Sequence, residues 1–415
     1  MRNNNHIVIM AGGVGSRFWP MSTPEYPKQF VDVLGRGMSM IQMTVERFAP
    51  LCPIENMWVV TSAAYEALVR EQLPQLPVEN ILLEPAMRNT APCIAYACWK
   101  IRQKNPSANV VVTPADALVV DVDDFRKVIG SALEFTAEGH RIVTVGIRPT
   151  RPETGYGYIE IAGQAGNDGG GSGNDGVDND GGGSGNDGVA NDGVANDGVA
   201  NDGADNDGAG SVNDGVANDG ADNDGADVTP GLTGSPLKVD SFKEKPALEV
   251  ARQYLAAGNY LWNAGIFVWN IDTIVESLRA FVPELAAKMD IMSESFFTPS
   301  EREVVGDIFP TCEKISIDYA VMEKADYIYT IPGDFGWSDV GTWGSLWTLL
   351  SHDEDGNAVV GGNVHLNDCR GCIVHAPGAE SVVLQGLEDS IVVERDGRLL
   401  VCKLSEEQRI KDFVK

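Results

Sequence analysis

The amino-acid sequence predicts an α/β protein with a mostly parallel sheet and a small β domain at the C-terminal end. Two observations support this prediction. Between Ile7 and Ile147, short apolar runs alternate with stretches of helical periodicity, which is typical of strands covered by helices on both faces. After Leu350 the apolar runs are short and separated by Gly and Asp turns, which indicates compact β structure.

The individual elements follow from the same patterns. Apolar runs predict strands at residues 7–10, 57–61, 81–84, 110–113 and 142–145. Amphipathic stretches between them predict helices at 91–103 and 125–137. We further expect a strand and a turn within 238–246, aromatic β structure at 259–270 and a strand at 327–331. We expect a first domain at 1–350 and the small β domain at 351–415.

Residues 163–235 interrupt the first domain as a low-complexity insertion in a hairpin. Asn-Asp-Gly units recur there every five residues, and residues 163–227 contain fifteen Asp but no Glu, Lys or Arg. The aliphatic residues of this stretch are Ala and Val, which cannot offset the entropy of ordering, so a disordered surface loop is expected. A calcium-binding β-roll, the alternative, has a nine-residue period. Removing these fifteen charges changes the formal net charge from −29 to −14.

Composition excludes several classes of protein. A mildly acidic chain argues against nucleic-acid binding, which favours a basic face. No apolar run approaches the roughly 20 residues of a membrane helix. The N-terminal residues lead directly into a strand without a secretion signal, so we expect a cytoplasmic protein whose seven cysteines are free thiols.

One group of His and Cys residues could either bind zinc or belong to a unit of β structure. The ligands are His365, Cys369, Cys372 and His375, which would fit zinc by residue type. The segment alternates apolar and polar residues around a turn at 368–371, however, and side chains on such strands point to different faces. We therefore favour a strand-turn-strand unit without metal.

The segment at residues 7–30 carries the strongest functional signal. Its apolar run ends in three glycines, Gly12, Gly13 and Gly15. Backbone N–H groups at such glycines can approach an anion closely, and Arg17 and Lys28 add two cations that suit a polyphosphate. No Gly-Lys-Ser/Thr follows as in a P-loop, and bulky residues replace the third glycine of a dinucleotide fingerprint. We expect a nucleoside triphosphate here.

The string GG-x-G-x-R-x-WP followed by PKQF resembles the signature of the sugar-nucleotide pyrophosphorylases. Its Phe-Trp-Pro and Lys-Gln-Phe variants look like the branch that converts GTP and mannose 1-phosphate to GDP-mannose. The resemblance covers about residues 5–350 apart from the insertion. It implies the Rossmann-like sheet of the nucleotide-diphospho-sugar transferases and an attack of the sugar phosphate on the α-phosphorus, with pyrophosphate as the leaving group.

The resemblance also implies roles for residues around the nucleotide. It assigns Mg²⁺ to Asp116 in TPAD and Asp339 in GWSDVGTW, and carboxylates suit this hard cation, although an Asp after a strand is more often a helix cap. The catalytic set would be Arg17, Lys28, Asp116, Lys245 and Asp339. The block EPAMRNTAP resembles the nucleotide-side loop, with contacts from Arg88, Asn89 and Thr90, and the same residues would also start a helix.

The resemblance also implies which residues bind the sugar 1-phosphate. FKEKP places Lys245 on the phosphate of the sugar and Glu244 on its hydroxyls, although Lys–Glu pairs are common on solvated surfaces. The hairpin at 153–158 and the string WNAG complete the sugar side. The implied sugar-binding set is Gly155, Tyr156, Glu244, Lys245 and Asn263. Two residues depart from the family pattern: Ala117 stands where many relatives carry His, and Ala264 replaces the usual Ser.

Other functions stay open at this point. One is a pyrophosphorylase that uses another base or hexose. Another is a non-catalytic regulatory subunit that binds sugar nucleotides, which the retention of Asp116 and Asp339 disfavours. A nicotinamide oxidoreductase is disfavoured because the third glycine is missing. We expect no nucleic-acid or membrane partner, and a homodimer stays open.

Replacing residues 166–227 with a short Gly-Ser turn should leave the fold and the steady-state constants within about twofold. The segment has no apolar content for a core, and closure entropy grows only logarithmically with loop length. Circular dichroism, thermal unfolding and kinetics would check this. If calcium changes both the dichroism and the KM of the intact protein but not of the deletion variant, the disordered-loop prediction is wrong.

Overall fold

The structure, a computed structural model, describes residues 4–13, 15–162 and 234–414, so the predicted disordered insertion lies outside the described residues apart from its last two positions. The strands are β1 (Asn5–Ala11), β2 (Met57–Ser62), β3 (Ile81–Glu84), β4 (Asn109–Pro114), β5 (Leu118–Val119), β6 (Ile142–Ile147), β7 (Tyr158–Ile161), β8 (Leu237–Lys243), β9 (Tyr260–Asn270), β10 (Ile328–Gly333), β11 (Trp337–Ser338), β12 (Ala358–Val360), β13 (Val364–Asn367), β14 (Ile373–His375), β15 (Val382–Gln385), β16 (Ser390–Arg395) and β17 (Arg398–Lys403). The α-helices are α1 (Met40–Phe48), α2 (Glu66–Gln72), α3 (Thr90–Lys104), α4 (Val122–Ala137), α5 (Leu248–Ala257), α6 (Ile271–Phe281), α7 (Pro283–Ser293), α8 (Glu301–Ile308), α9 (Trp343–Trp347) and α10 (Ile410–Phe413).

The largest sheet of the described residues is mixed, in the order β3-β2-β1-β4-β9-β6-β10-β8-β7, with β9 also paired to β7. The pairings β1–β2, β1–β4, β2–β3 and β6–β10 are parallel. The other pairings all involve β7, β8 or β9 and are antiparallel. Seven of the nine strands therefore run in one direction, as expected for a mostly parallel sheet, and β8 and β9 run against them. The sequence did not indicate that β9 would lie between β4 and β6 and oppose both, because apolar runs do not encode strand direction.

The strands predicted in the N-terminal region are confirmed. β3 has the predicted bounds. The strands β1, β2, β4 and β6 are longer than predicted by one or two residues at one or both ends. The two predicted helices are α3 and α4, which begin one and three residues earlier than expected. Because β1, β2, β3 and β4 run parallel, their carboxyl ends meet at one edge of the sheet, where ligands bind in such folds.

β7 and β8 form the predicted hairpin. They pair antiparallel, with Tyr158 opposite Lys243 and Ile161 opposite Val239. The strands on either side of the insertion therefore contact each other directly.

β1 shows how the sheet is buried on both faces. Val8 belongs to a buried cluster that contains residues of α3, α6 and α7. Its neighbours Ile7 and Ile9 belong to a second cluster, which contains residues of α1 and α4. Alternate side chains of a strand point to opposite faces, and each fully buried aliphatic side chain contributes about 1.5–3 kcal/mol. This double burial fixes the strand ends that carry the site.

Residues 358–403 form two small sheets. β12, β14 and β16 pair in parallel, and β17 pairs antiparallel with β16, while β13 pairs with β15 in a separate sheet. The expected order of strand, turn and strand is confirmed by β13 and β14. The two strands are not adjacent, because β13 pairs with β15 and β14 with β12 and β16, so His365 and His375 lie in different sheets. Within the described ranges, no group of three or more His, Cys, Asp or Glu residues is placed to hold a metal ion.

Among the described residues, no helix combines the length and the apolar character that a bilayer span requires.

Gly146→Ala should lower the free energy of unfolding by about 1–3 kcal/mol, as overpacking does. Gly146 lies at a register shift between β6 and β9, and a Cβ there would overlap Leu261 and lie 2.7 Å from Thr330 Oγ1. Urea denaturation would measure the change.

The matched control is Gly130→Ala in the interior of α4. A Cβ at Gly130 would meet nothing within 4 Å, so this variant should gain up to about 1 kcal/mol from helix propensity. Equal urea midpoints for Gly146→Ala and the unsubstituted protein would contradict the packing argument.

Candidate active site

A cavity of about 590 Å³ opens at the carboxyl ends of β1 and β4, where Met10 and Pro114 line it. The predicted site residues that line it are Gly15, Arg17, Lys28, Thr90, Asp116, Gly155, Tyr156, Glu244, Lys245, Asn263 and Asp339. Ala117 and Ala264, the two departures from the family pattern, line it as well. The cavity therefore collects segments that lie far apart in the chain.

Gly15 shapes the loop after β1. Its φ of 67° is left-handed, a conformation that glycine adopts without steric cost, and a Cβ there would lie 2.6 Å from Lys28 Cβ. The Ser22 hydroxyl donates to the Gly15 carbonyl, and Gln29 Nε2 donates to the Ala11 carbonyl at 2.9 Å. The close approach of the loop to Lys28 therefore requires glycine at this position.

Lys28 joins the two aspartate segments. Its Nζ lies 2.9 Å from Asp116 Oδ2 and donates to the carbonyls of Asp339 at 2.7 Å and Val340 at 3.0 Å. An ammonium has three donors, and three protein oxygens accept them here, in a side chain that is 5% exposed. Lys28 thus holds Asp116 and Asp339 on one cavity wall, and a direct phosphate contact for it stays a prediction.

Asp339 is oriented by its neighbours. Its Oδ1 accepts from the Tyr156 hydroxyl at 2.7 Å and from the Gly341 amide at 3.0 Å. A Cβ on Gly341 would lie 2.7 Å from Asp339 Oδ2, so glycine leaves room for the carboxylate. Burial, followed by the charge of Asp339, raises the pKa of Tyr156, and the tyrosine therefore stays a neutral donor.

Asn263 lines the same cavity and has a fixed amide orientation. Its Oδ1 accepts from Thr144 Oγ1 at 2.9 Å and from the Gly265 amide at 3.1 Å. Its Nδ2 donates to Asp318 Oδ1 at 3.2 Å. These contacts assign the oxygen and nitrogen of the amide without ambiguity.

Glu244 and Lys245 form a pair at the cavity surface. Their side chains are 11% and 61% exposed, and Lys245 Nζ lies 2.6 Å from Glu244 Oε1. Burial lowers the pKa of Lys245, but the hydrogen bond and charge of Glu244 outweigh burial and leave that pKa raised. Lys245 also has a φ of 44°, which is uncommon for a residue other than glycine.

Asp318 is a cavity residue that sequence reasoning missed. It lies on a short π-helical turn (Asp318–Met322) and lines the cavity beside Lys245. Burial, followed by repulsion from Glu244, raises the pKa of Asp318 to about 6. Its surroundings in the sequence, Ser-Ile-Asp-Tyr, contain no glycine and follow no apolar strand, so no pattern marked it.

Four predicted nucleotide contacts are not among the residues that line the cavity: Gly12, Gly13, Arg88 and Asn89. Asn89 Oδ1 accepts from the Thr90 amide at 2.8 Å and caps α3, and Arg88 donates to the Pro310 carbonyl. The segment at 84–92 therefore starts helix α3, which was the alternative to a nucleotide-binding loop. Nucleotide contacts from these four residues stay predictions.

Known proteins resemble this chain over nearly all of its length. The model of the nucleotidyl transferase family matches residues 6–169 and 227–356. The mannose-1-phosphate guanylyltransferase of Salmonella montevideo is 34% identical over 98% of this chain and 72% of its own length, and that of Escherichia coli is 32% identical over the same shares. The crystal structure of a mannose-1-phosphate geranyltransferase from Thermus thermophilus matches with a TM-score of 0.74 and 27% identity, over 99% of this chain and 98% of that one. The chain therefore belongs to the nucleotidyl transferase family, among the sugar-nucleotide pyrophosphorylases.

Proposed function

We propose that the protein converts GTP and mannose 1-phosphate to GDP-mannose and pyrophosphate. A phosphate oxygen of mannose 1-phosphate forms a bond to the α-phosphorus of GTP, and the bond from that phosphorus to the oxygen bridging the β-phosphate breaks. The names of the relatives that are 32–34% identical support this choice of substrates. A transfer of this kind needs positioning and charge neutralisation, with no protein nucleophile.

One observation carries the proposal: Lys28 binds Asp116 and the backbone at Asp339 and Val340 while it lies against the glycine loop. A glycine loop for phosphates and two carboxylates thereby share one cavity at the strand ends. In this arrangement Gly15 and Arg17 face the phosphates of the nucleotide. Glu244, Asn263 and Asp318 offer acceptors and donors to sugar hydroxyls, and Lys245 offers a charge to the sugar phosphate.

The donor set fits Mg²⁺. This ion binds through one or two carboxylates together with substrate phosphates. Asp116 and Asp339 line the same cavity, and the hydrogen bonds of the Asp339 carboxylate fall on Oδ1, beside the glycine that leaves its Oδ2 room. These two residues would hold the ion, which when bound neutralises phosphate charge. Within the protein, Lys28 and Tyr156 fix the positions of the two carboxylates.

The finer organisation of the chain is part of the same proposal. We assign the nucleotidyl transfer to a Rossmann-like domain at residues 1–350 and treat residues 351–415 as a small β domain. The parallel strands β1 to β4 support the first assignment, and the separate sheets formed by β12 to β17 support the second.

The test is to incubate the protein with Mg²⁺, each of the four NTPs and dTTP, and several hexose 1-phosphates, and to measure pyrophosphate release. We expect the highest kcat/KM for GTP with mannose 1-phosphate. If UTP or dTTP with glucose 1-phosphate is much the better pair, the substrates are wrong and the family assignment stands. Absence of pyrophosphate with every pair would favour the regulatory alternative.

Asp339→Asn should lower kcat about 100-fold or more while leaving the free energy of unfolding nearly unchanged. The amide oxygen can still accept from Tyr156 and Gly341, but the charge that acts in the transition state is lost, which costs on the order of 3 kcal/mol. Kinetics at saturating substrates and urea denaturation would measure the two effects.

The matched control is Asp334→Asn, an exposed carboxylate five positions earlier that does not line the cavity. It should keep normal turnover. Near-normal turnover of a folded Asp339→Asn protein would rule out the proposed role of this carboxylate.

A further inference from the structure

The cavity holds four cationic side chains, and two of them are already paired. These are Arg17, Lys28, Lys245 and Lys411. Lys28 is surrounded by three protein oxygens, and Lys245 is paired with Glu244. Arg17 makes one long contact, from Nη1 to the Gly341 carbonyl at 3.5 Å, and the side chain of Lys411 has no ion pair or hydrogen bond among the described residues.

Lys411 reaches the cavity because the C-terminal segment is anchored beside it. Glu407 Oε2 accepts from the Gly344 amide at 2.7 Å. Ile410 is fully buried in a cluster that also contains Phe18 and Trp343, and α10 packs against the turn Ser16–Phe18 that follows the glycine loop. The exposed Lys411 therefore stands next to a fixed residue, on the same side of the cavity as Arg17.

The charges that line the cavity indicate a role for Lys411 in phosphate binding. Asp116, Glu244, Asp318 and Asp339 all line the cavity, while a nucleoside triphosphate brings about four further negative charges. A compact ammonium acts as a point charge toward phosphate, and its attraction is stronger near a protein surface than in bulk water. With Lys28 engaged by protein oxygens, the cations left for the phosphates next to the glycine loop are Arg17 and Lys411, among the residues described.

We propose that Lys411 binds the β- and γ-phosphates of the nucleotide together with Arg17, so that a residue from the C-terminal segment completes the triphosphate site. The inference rests on the proposed function for the identity of the nucleotide. It does not depend on the base or the sugar, because the contact is made to phosphate oxygens alone.

The test compares Lys411→Ala with Lys411→Arg and Arg409→Ala. Arg409 lies on the same segment, is paired with Glu406 and does not line the cavity, so its variant removes one charge without touching the site. We expect Lys411→Ala to raise the KM for GTP about tenfold while the KM for mannose 1-phosphate changes less than twofold. Lys411→Arg should recover most of the GTP affinity, and Arg409→Ala should match the unsubstituted protein.

A second readout separates this inference from the proposed function. Isothermal titration with inorganic tripolyphosphate, at low and high salt, measures the phosphate site even if GTP is not the substrate. Lys411→Ala should weaken tripolyphosphate binding about tenfold at low salt and less at high salt, since screening reduces the contribution of an exposed charge. Unchanged tripolyphosphate affinity in Lys411→Ala would overturn the inference, as would equal losses in Lys411→Ala and Arg409→Ala.

Discussion

The site depends on one buried cation. Lys28 brings its ammonium to Asp116 on one segment and to the carbonyls of Asp339 and Val340 on another. A charge that is 5% exposed needs such partners, since an unpaired buried ammonium costs several kcal/mol. The same contact joins the Asp116 carboxylate to the backbone of Asp339, so the two segments share one wall of the cavity. The stability of the cavity and its chemistry therefore rest on the same interaction, and the glycine at position 15 leaves the space that it needs.

Much of the N-terminal fold could be predicted because its signals are local. The strands at 57–62 and 81–84 are short apolar runs, and the sequence predicts their bounds to within one residue. Strand direction was not predictable in this way. β9 is an apolar and aromatic run like the others, but it runs antiparallel to β4 and β6. The sequence of β9 alone does not indicate which strands it pairs with.

The residues of the candidate site also divide into those that a local sequence motif indicates and those that only the tertiary structure reveals. Residues in glycine- or proline-marked motifs, such as Gly15, Lys245 and Asp339, could be predicted and do line the cavity. Asp318 and Lys411 could not, because one lies on an unmarked helical turn and the other in an exposed C-terminal segment. Their positions are set by tertiary packing, and no local motif encodes a contact between Ile410 and the turn that contains Phe18.

The strand order also governs what happens while the chain is being made. β10 pairs with β6 on one side and β8 on the other, but about 180 residues separate the end of β6 from the start of β10. At about 5–20 residues per second, the ribosome takes roughly 10 to 40 s to supply them. One edge of β6 stays unpaired during this interval, and unpaired edges attract other chains. The insertion at 163–235 lengthens the wait, so the need for chaperones during translation should last until β10 is complete at residue 333.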